Sequence, residues 1–185
     1  MPSRRLQEAL KTMPAAYRGA EAPDYLPLRR TAYHEAGHAV IDVLLDIHFT
    51  WVVARRRQGW VNSSNPCVGW RRGDGPKAEL AKRWALSCYA GAAAEEALGE
   101  GVEESYLEWD SAEHWLEQFA TPRGAAFVGD ETHRRQIERL KVKARHLVRG
   151  HFQAVERVAA ALLKLQALSL EEVISIMNGG PPPRS

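Results

Sequence analysis

Cysteine is scarce in this chain. Cys67 and Cys88 are the only two in 185 residues and form no C-x-x-C pair. That excludes a disulfide framework and a cysteine zinc cluster, and it suits a reducing compartment. Net charge is also small, at +2, too little to argue for a polyanionic partner. No long apolar run occurs: the longest largely apolar stretch, "WALSCYAGAAA" at residues 84 to 94, is far short of the roughly 20 residues that a membrane span needs. The N-terminal "MPSRRLQEALKTMPAAYRGA" has no continuous apolar core of the signal-peptide kind. There is no G-x-x-x-x-G-K-[ST], hence no P-loop. The expectation is a cytoplasmic protein with no membrane partner and no nucleotide motor of its own.

Arginine clusters do exist, at Arg55 to Arg57, at Arg71 and Arg72, and at Arg134, Arg135 and Arg139. Acidic residues are interspersed through the helical segments and no nucleic-acid-binding motif accompanies them, so they read as solvated faces. No nucleic-acid partner is expected.

What the chain does have is "LRRTAYHEAGHAVIDVLLD" at residues 28 to 46. Ala32, Ala36, Ala39, Val40, Val43, Leu44 and Ile47 recur at spacings of three and four, the period of a half-buried helix. On such a helix His34 and His38 stand one above the other, so both imidazoles reach one point. Glu35 is turned by about 100° from His34 and reaches a water at that point without being a ligand. Gly37 in the helix interior costs on the order of 1 kcal/mol against alanine, which a helix built only to pack has no reason to accept. From composition, an accidental H-E-x-x-H has a chance of roughly 0.02 in such a chain. Two imidazoles, an expected carboxylate and one open position fit catalytic Zn2+.

The third ligand must come from another element, since Leu44 occupies the position of the third histidine in the longer H-E-x-x-H-x-x-G-x-x-H motif. Glu95 and Glu96 in "AAAEEALG", and Asp110 and His114 in "EWDSAEHW", are all compatible with spacing. Glu95 and Glu96 also read as a solvated helix end or as partners of the histidine N–H groups. His114 also reads as packing beside Trp115.

Along the chain, the pattern predicts a short amphipathic helix over 4–18. After the motif helix, "FTWVVARRR", "GWVNSS" and "CVGWRR" predict two or three strands. A turn at "GDGP" leads into a helix from Lys77 to about Leu98, ended by Gly99. Further helices are predicted over about 108–120, 130–149 and 151–165, and Ser169 caps a last one in "LEEVISIM". The class is mainly α (α+β), with a small sheet beside the H-E-x-x-H helix. Residues 1–22 are expected as helix and linker, 23–178 as the domain, and 179–185 as a disordered tail.

"TAYHEAGHAV" resembles the opening of the protease domain in the FtsH family of zinc metallopeptidases. "YAGAAAEEALG" is similar to that family's G-R-A-A-E-E-x-x-x-G helix, with Ala92 where arginine is usual, and "ERVAAALLKLQALSLEEVISIM" is similar to its C-terminal helices. Together these cover most of residues 28 to 178. The resemblance implies a helical zincin-type domain with peptidase activity, and it selects Asp110 as the third zinc ligand beside His34 and His38. It also implies ring-forming relatives, so a homo-oligomer, up to a hexamer, is expected. With no P-loop, the expected activity is ATP-independent hydrolysis of flexible or unfolded polypeptides, with Glu35 as base. The substrate is expected to add as a strand along residues 49 to 57. The alternatives are a catalytically weak zinc-containing adaptor and a protease subunit served by a separate ATPase.

Overall fold

The longest run of small apolar residues turns out to be the most enclosed helix of the molecule. A computed structural model describes residues 4–11, 28–55, 58–63, 77–99, 106–119 and 131–181. In order these form α1 (Arg4–Lys11), α2 (Leu28–Leu44), β1 (Phe49–Arg55), β2 (Gln58–Ser63), α3 (Lys77–Leu98), α4 (Tyr106–Phe119), α5 (Glu131–Gly150), α6 (Phe152–Leu165), β3 (Ala167–Ser169) and α7 (Leu170–Met177). The fold is mainly α with one small antiparallel sheet, as expected. Among the described residues, no helix is long and apolar enough to cross a membrane.

Every residue of α3 from Ala85 to Glu95 is buried. The helix has α2 on one side and α4 and α5 on the other, and a helix enclosed all round is apolar all round. It stops where Gly99 takes a left-handed φ of 83°, the conformation glycine adopts at no steric cost. Against it, α5 buries Ile137, Leu140, Ala144 and Val148, a stripe at helical spacing.

The sheet runs in the order β2-β1-β3, with β1 antiparallel to both neighbours. Phe49, Val52 and Ala54 join the core formed with α2, α6 and α7. Val53 joins a second cluster with Trp60, Ala167 and, from α1, Leu6 and Ala9. An irregular register between Phe49 and Val52 lets these two, three positions apart, serve the same core. Arg5 pairs with Glu172 and so ties α1 to the start of α7.

The sheet departs from expectation in two ways. Residues 49 to 55 are not an edge, because β1 is the central strand. Its far side is covered by β3, which pairs Ala167 to Ser169 with Val53 to Trp51. The third strand is therefore β3, while "CVGWRR" lies outside the described residues, as does the expected helix beyond Lys11. Ser169 ends β3 and also begins α7, where its hydroxyl accepts from the Glu172 N–H and its own N–H donates to the Glu172 carboxylate at 2.9 Å. Gly179 and Gly180 close α7 through N–H bonds to the Ile176 and Ser175 carbonyls, at 3.1 and 2.8 Å. Of the expected tail, residues 182–185 lie outside the described residues.

Candidate metal centre

Two helices crossing at a glycine create the site. A Cβ on Gly37 would lie 2.6 Å from the Ala90 carbonyl oxygen and 2.7 Å from the Ala94 Cβ. The glycine that propensity disfavours is what lets α2 approach α3 so closely. The approach brings Ser87, Gly91 and Glu95, spaced by four along α3, against the histidines of α2.

Both imidazoles are held from behind. His34 Nδ1 meets Glu95 Oε1 at 2.8 Å, and His38 Nδ1 meets the Ser87 carbonyl oxygen at 2.7 Å. A carbonyl only accepts, and a carboxylate does the same, so each Nδ1 carries a hydrogen, and each ring in its neutral form keeps its lone pair on Nε2. These two Nε2 atoms stand 3.0 Å apart. Two facing lone pairs repel at that distance, and either a proton on one Nε2 or a metal ion bound by both removes the repulsion. Two imidazole nitrogens on a tetrahedral zinc stand about 3.3 Å apart, so the pair fits a metal within a few tenths of an ångström.

Gly91 completes the fit. A Cβ there would fall 2.5 Å from both Nε2 atoms, so no side chain is tolerated where the two rings converge. Glu95 is itself fixed, with Arg30 Nε and Nη2 donating to its Oε2 at 2.9 and 2.6 Å. Burial opposes ionisation of Glu95, but the bonds and charges of His34 and Arg30 outweigh it and hold its carboxyl below the usual range. Of the two roles open to Glu95, the geometry gives it the histidine N–H.

Glu35 is buried. Gly59 of β2 lies over it, since a Cβ on Gly59 would come within 2.5 Å of its Cγ and Oε1. A cleft of about 70 Å³ is lined by Glu35, His38, Trp60, Ser63, Trp84 and Cys88. It therefore brings the candidate base, one histidine and β2 together.

One turn beyond His38, Asp42 is fully buried. The Ser63 and Ser87 hydroxyls bond it, while its Oδ1 has no hydrogen-bond partner among the described residues. Burial raises its pKa to about 6, against these two hydrogen bonds and the His38 charge. Ser87 thus serves twice, with its hydroxyl on Asp42 and its carbonyl on His38. Sequence reasoning passed over Asp42, Ser87, Gly91 and Arg30. For Asp42 a signal existed, since it continues the His34–His38 row at the same spacing of four.

The other candidate ligands lie apart from the pair. Glu96 Oε2 and Oε1 accept from Arg145 and Arg149 of α5 at 2.7 and 2.9 Å. His114 is exposed and stands edge-on to Trp115, with ring centroids 5.3 Å apart. Asp110 is exposed on α4. Its neighbour Ser111 accepts from Trp84 Nε1 at 3.3 Å, and Trp84 lines the cleft, so Asp110 lies on the helix that borders that wall. Among the described residues, no group of three His, Cys, Asp or Glu side chains is gathered closely enough to hold a metal. Two imidazole nitrogens are thus brought together, with a glutamate beside them. Neither a scan of protein-family models nor a search of curated proteins finds a match to this chain.

Proposed function

We propose that this chain is a zinc-dependent endopeptidase of the FtsH-like kind, hydrolysing flexible or unfolded polypeptides without ATP. The observation that carries the reading is the pair of Nε2 atoms 3.0 Å apart, both left with lone pairs by the partners of Nδ1. His34 and His38 hold the metal, and Asp110 is proposed as third protein ligand on the resemblance. Zinc held there supplies Lewis acidity to a carbonyl and to a water molecule. Glu35 would take a proton from the attacking water and pass it to the leaving amine. Its burial under Gly59 keeps bulk water from competing for the carboxylate. Glu95 and Ser87 fix which nitrogen of each ring is offered, a partner role typical of metal-bound histidines.

The substrate chain adds along β2, which is an edge strand among the described residues and carries Gly59 to Ser63 past Glu35 and the cleft. Main-chain pairing there favours extended, unfolded polypeptide. A cytoplasmic location and a homo-oligomer, up to a hexamer, belong to the same proposal. The rival reading, a zinc-containing adaptor with weak turnover, draws on the exposed position of Asp110.

The test is elemental analysis of the purified chain, paired with cleavage of a casein-type substrate. The expected result is one zinc per chain, with cleavage lost to a chelator, restored by zinc and indifferent to ATP. Zinc without cleavage supports the adaptor, and no zinc above background overturns both readings.

A further inference from the structure

Helix α3 has a second face that the metal centre does not use. Tyr89, Ala92, Ala93 and Glu96 line a cavity of about 180 Å³, walled by Trp109 of α4 and by Lys141 and Arg145 of α5. Tyr89 meets Trp109 edge-on, with centroids 6.1 Å apart and planes at 80°. The Lys141 ammonium lies 4.1 Å from the Trp109 ring centroid and 5.6 Å from that of Tyr89.

The polar atoms of this cavity do not balance. Tyr89 Oη and Trp109 Nε1 are buried with no hydrogen-bond partner among the described residues. Buried donors in native proteins are nearly always paired, because leaving one unpaired forfeits its hydration. The lining carboxylate, Glu96, bonds Arg145 and Arg149 and neither of these two donors. Lys141 pairs with Glu138 at 3.6 Å, a largely exposed carboxylate, and Glu113 and Glu138 act on Tyr89 only through their charge. Among the described residues, the Tyr89 hydroxyl and the Trp109 N–H therefore lack an acceptor.

An aromatic pocket of this kind is often a cage for an alkylammonium ion. Here the place over the indole is filled by Lys141, so a second cation is rejected. Two cations against one carboxylate in the lining favour an anion instead. The ring edges and the methyl groups of Ala92 and Ala93 suit an apolar body.

We propose that this cavity binds a small apolar monocarboxylate, whose oxygens accept from Tyr89, Trp109 and Lys141. Burial, its largest influence, pushes the Tyr89 hydroxyl well above its usual range, so it stays protonated and able to donate. The proposal does not depend on the metal reading, because the histidines meet the opposite face of α3.

The test is calorimetric titration of the full chain with benzoate, using benzyl alcohol and tetramethylammonium as controls. Benzoate is expected to bind one per chain, with a Kd on the order of 1 mM or tighter, and both controls at least about tenfold more weakly. Tyr89→Phe and Trp109→Phe each remove one donor and keep a ring, and each is expected to weaken benzoate roughly fivefold to twentyfold. Lys141→Met is expected to cost about tenfold or more. Zinc content should be the same in all three variants. No saturable benzoate binding in the wild type, equal binding of either control, or unchanged affinity in both aromatic variants would overturn the proposal.

Discussion

The α2–α3 crossing and the start of α4 were both expected to supply zinc ligands, and they differ in every structural respect. At the crossing, two imidazoles are buried or nearly so, each Nδ1 has a partner, and two glycines clear the space around them. On α4, Asp110 is exposed. The difference teaches where a site's geometry comes from. Ligands that share one helix are positioned by the helical repeat and by whatever packs on it. A ligand carried by a separate helix is positioned only by how the two elements dock. The crossing fixes both imidazoles through its own packing and hydrogen bonds, whereas no hydrogen bond among the described residues ties Asp110 to them.

The sharpest way to break this comparison is Gly91→Ala. The new methyl would sit 2.5 Å from both Nε2 atoms, so the rings must part and zinc affinity should fall by at least about 100-fold. Calorimetric zinc titration checks it. Normal affinity would mean that the two nitrogens are not where the metal sits.

Glu95→Gln and Asp110→Asn come next. Loss of a histidine's carboxylate partner is expected to weaken zinc by about 10- to 100-fold. Asp110→Asn should weaken it at least tenfold, and His114→Ala and Glu96→Gln less, if the resemblance has chosen the third ligand correctly. Zinc binding untouched by Asp110→Asn but lost in His114→Ala would move the ligand to the next turn of α4.

The smallest effect concerns Asp42 in the metal-free protein. Its pKa is about 6 when folded, against an ordinary 3.8. Below both values it is protonated in either state and costs nothing. As pH rises from about 4 to 6 the unfolded chain gives up the proton first, so the folded state loses stability relative to it, by about 2 kcal/mol. Urea unfolding across this range should therefore show the wild type declining against Asp42→Asn, then running parallel above pH 6. Parallel curves throughout would mean that Asp42 ionises as freely inside the protein as outside.

The extent of legibility follows the same division. Helix α3 was readable to the residue, because "GDGP" and Gly99 punctuate it and its small apolar residues have helical length. His34, Glu35 and His38 were readable because one helix fixes their mutual geometry. β3 was not, since Ala167 to Ser169 are too few to show an alternation and their pairing with β1 joins distant parts of the chain. The central position of β1 was hidden for the same reason. Ser87 acts on His38 through its backbone carbonyl, which any residue would possess, so its identity carried no signal. Gly91 looked like one small residue among alanines, and only the docking of α2 reveals why it has no side chain.

The central claim, that a base and a metal pair act together on peptide bonds, is tested most directly by Glu35→Gln. The amide is nearly isosteric and leaves both histidines in place. Zinc content and cleavage of an unfolded polypeptide should be measured on wild type and variant side by side. Equal zinc is expected in both proteins, with chelator-sensitive cleavage by the wild type and a rate at least about 100-fold lower in the variant. Cleavage by Glu35→Gln at the wild-type rate would contradict the claim.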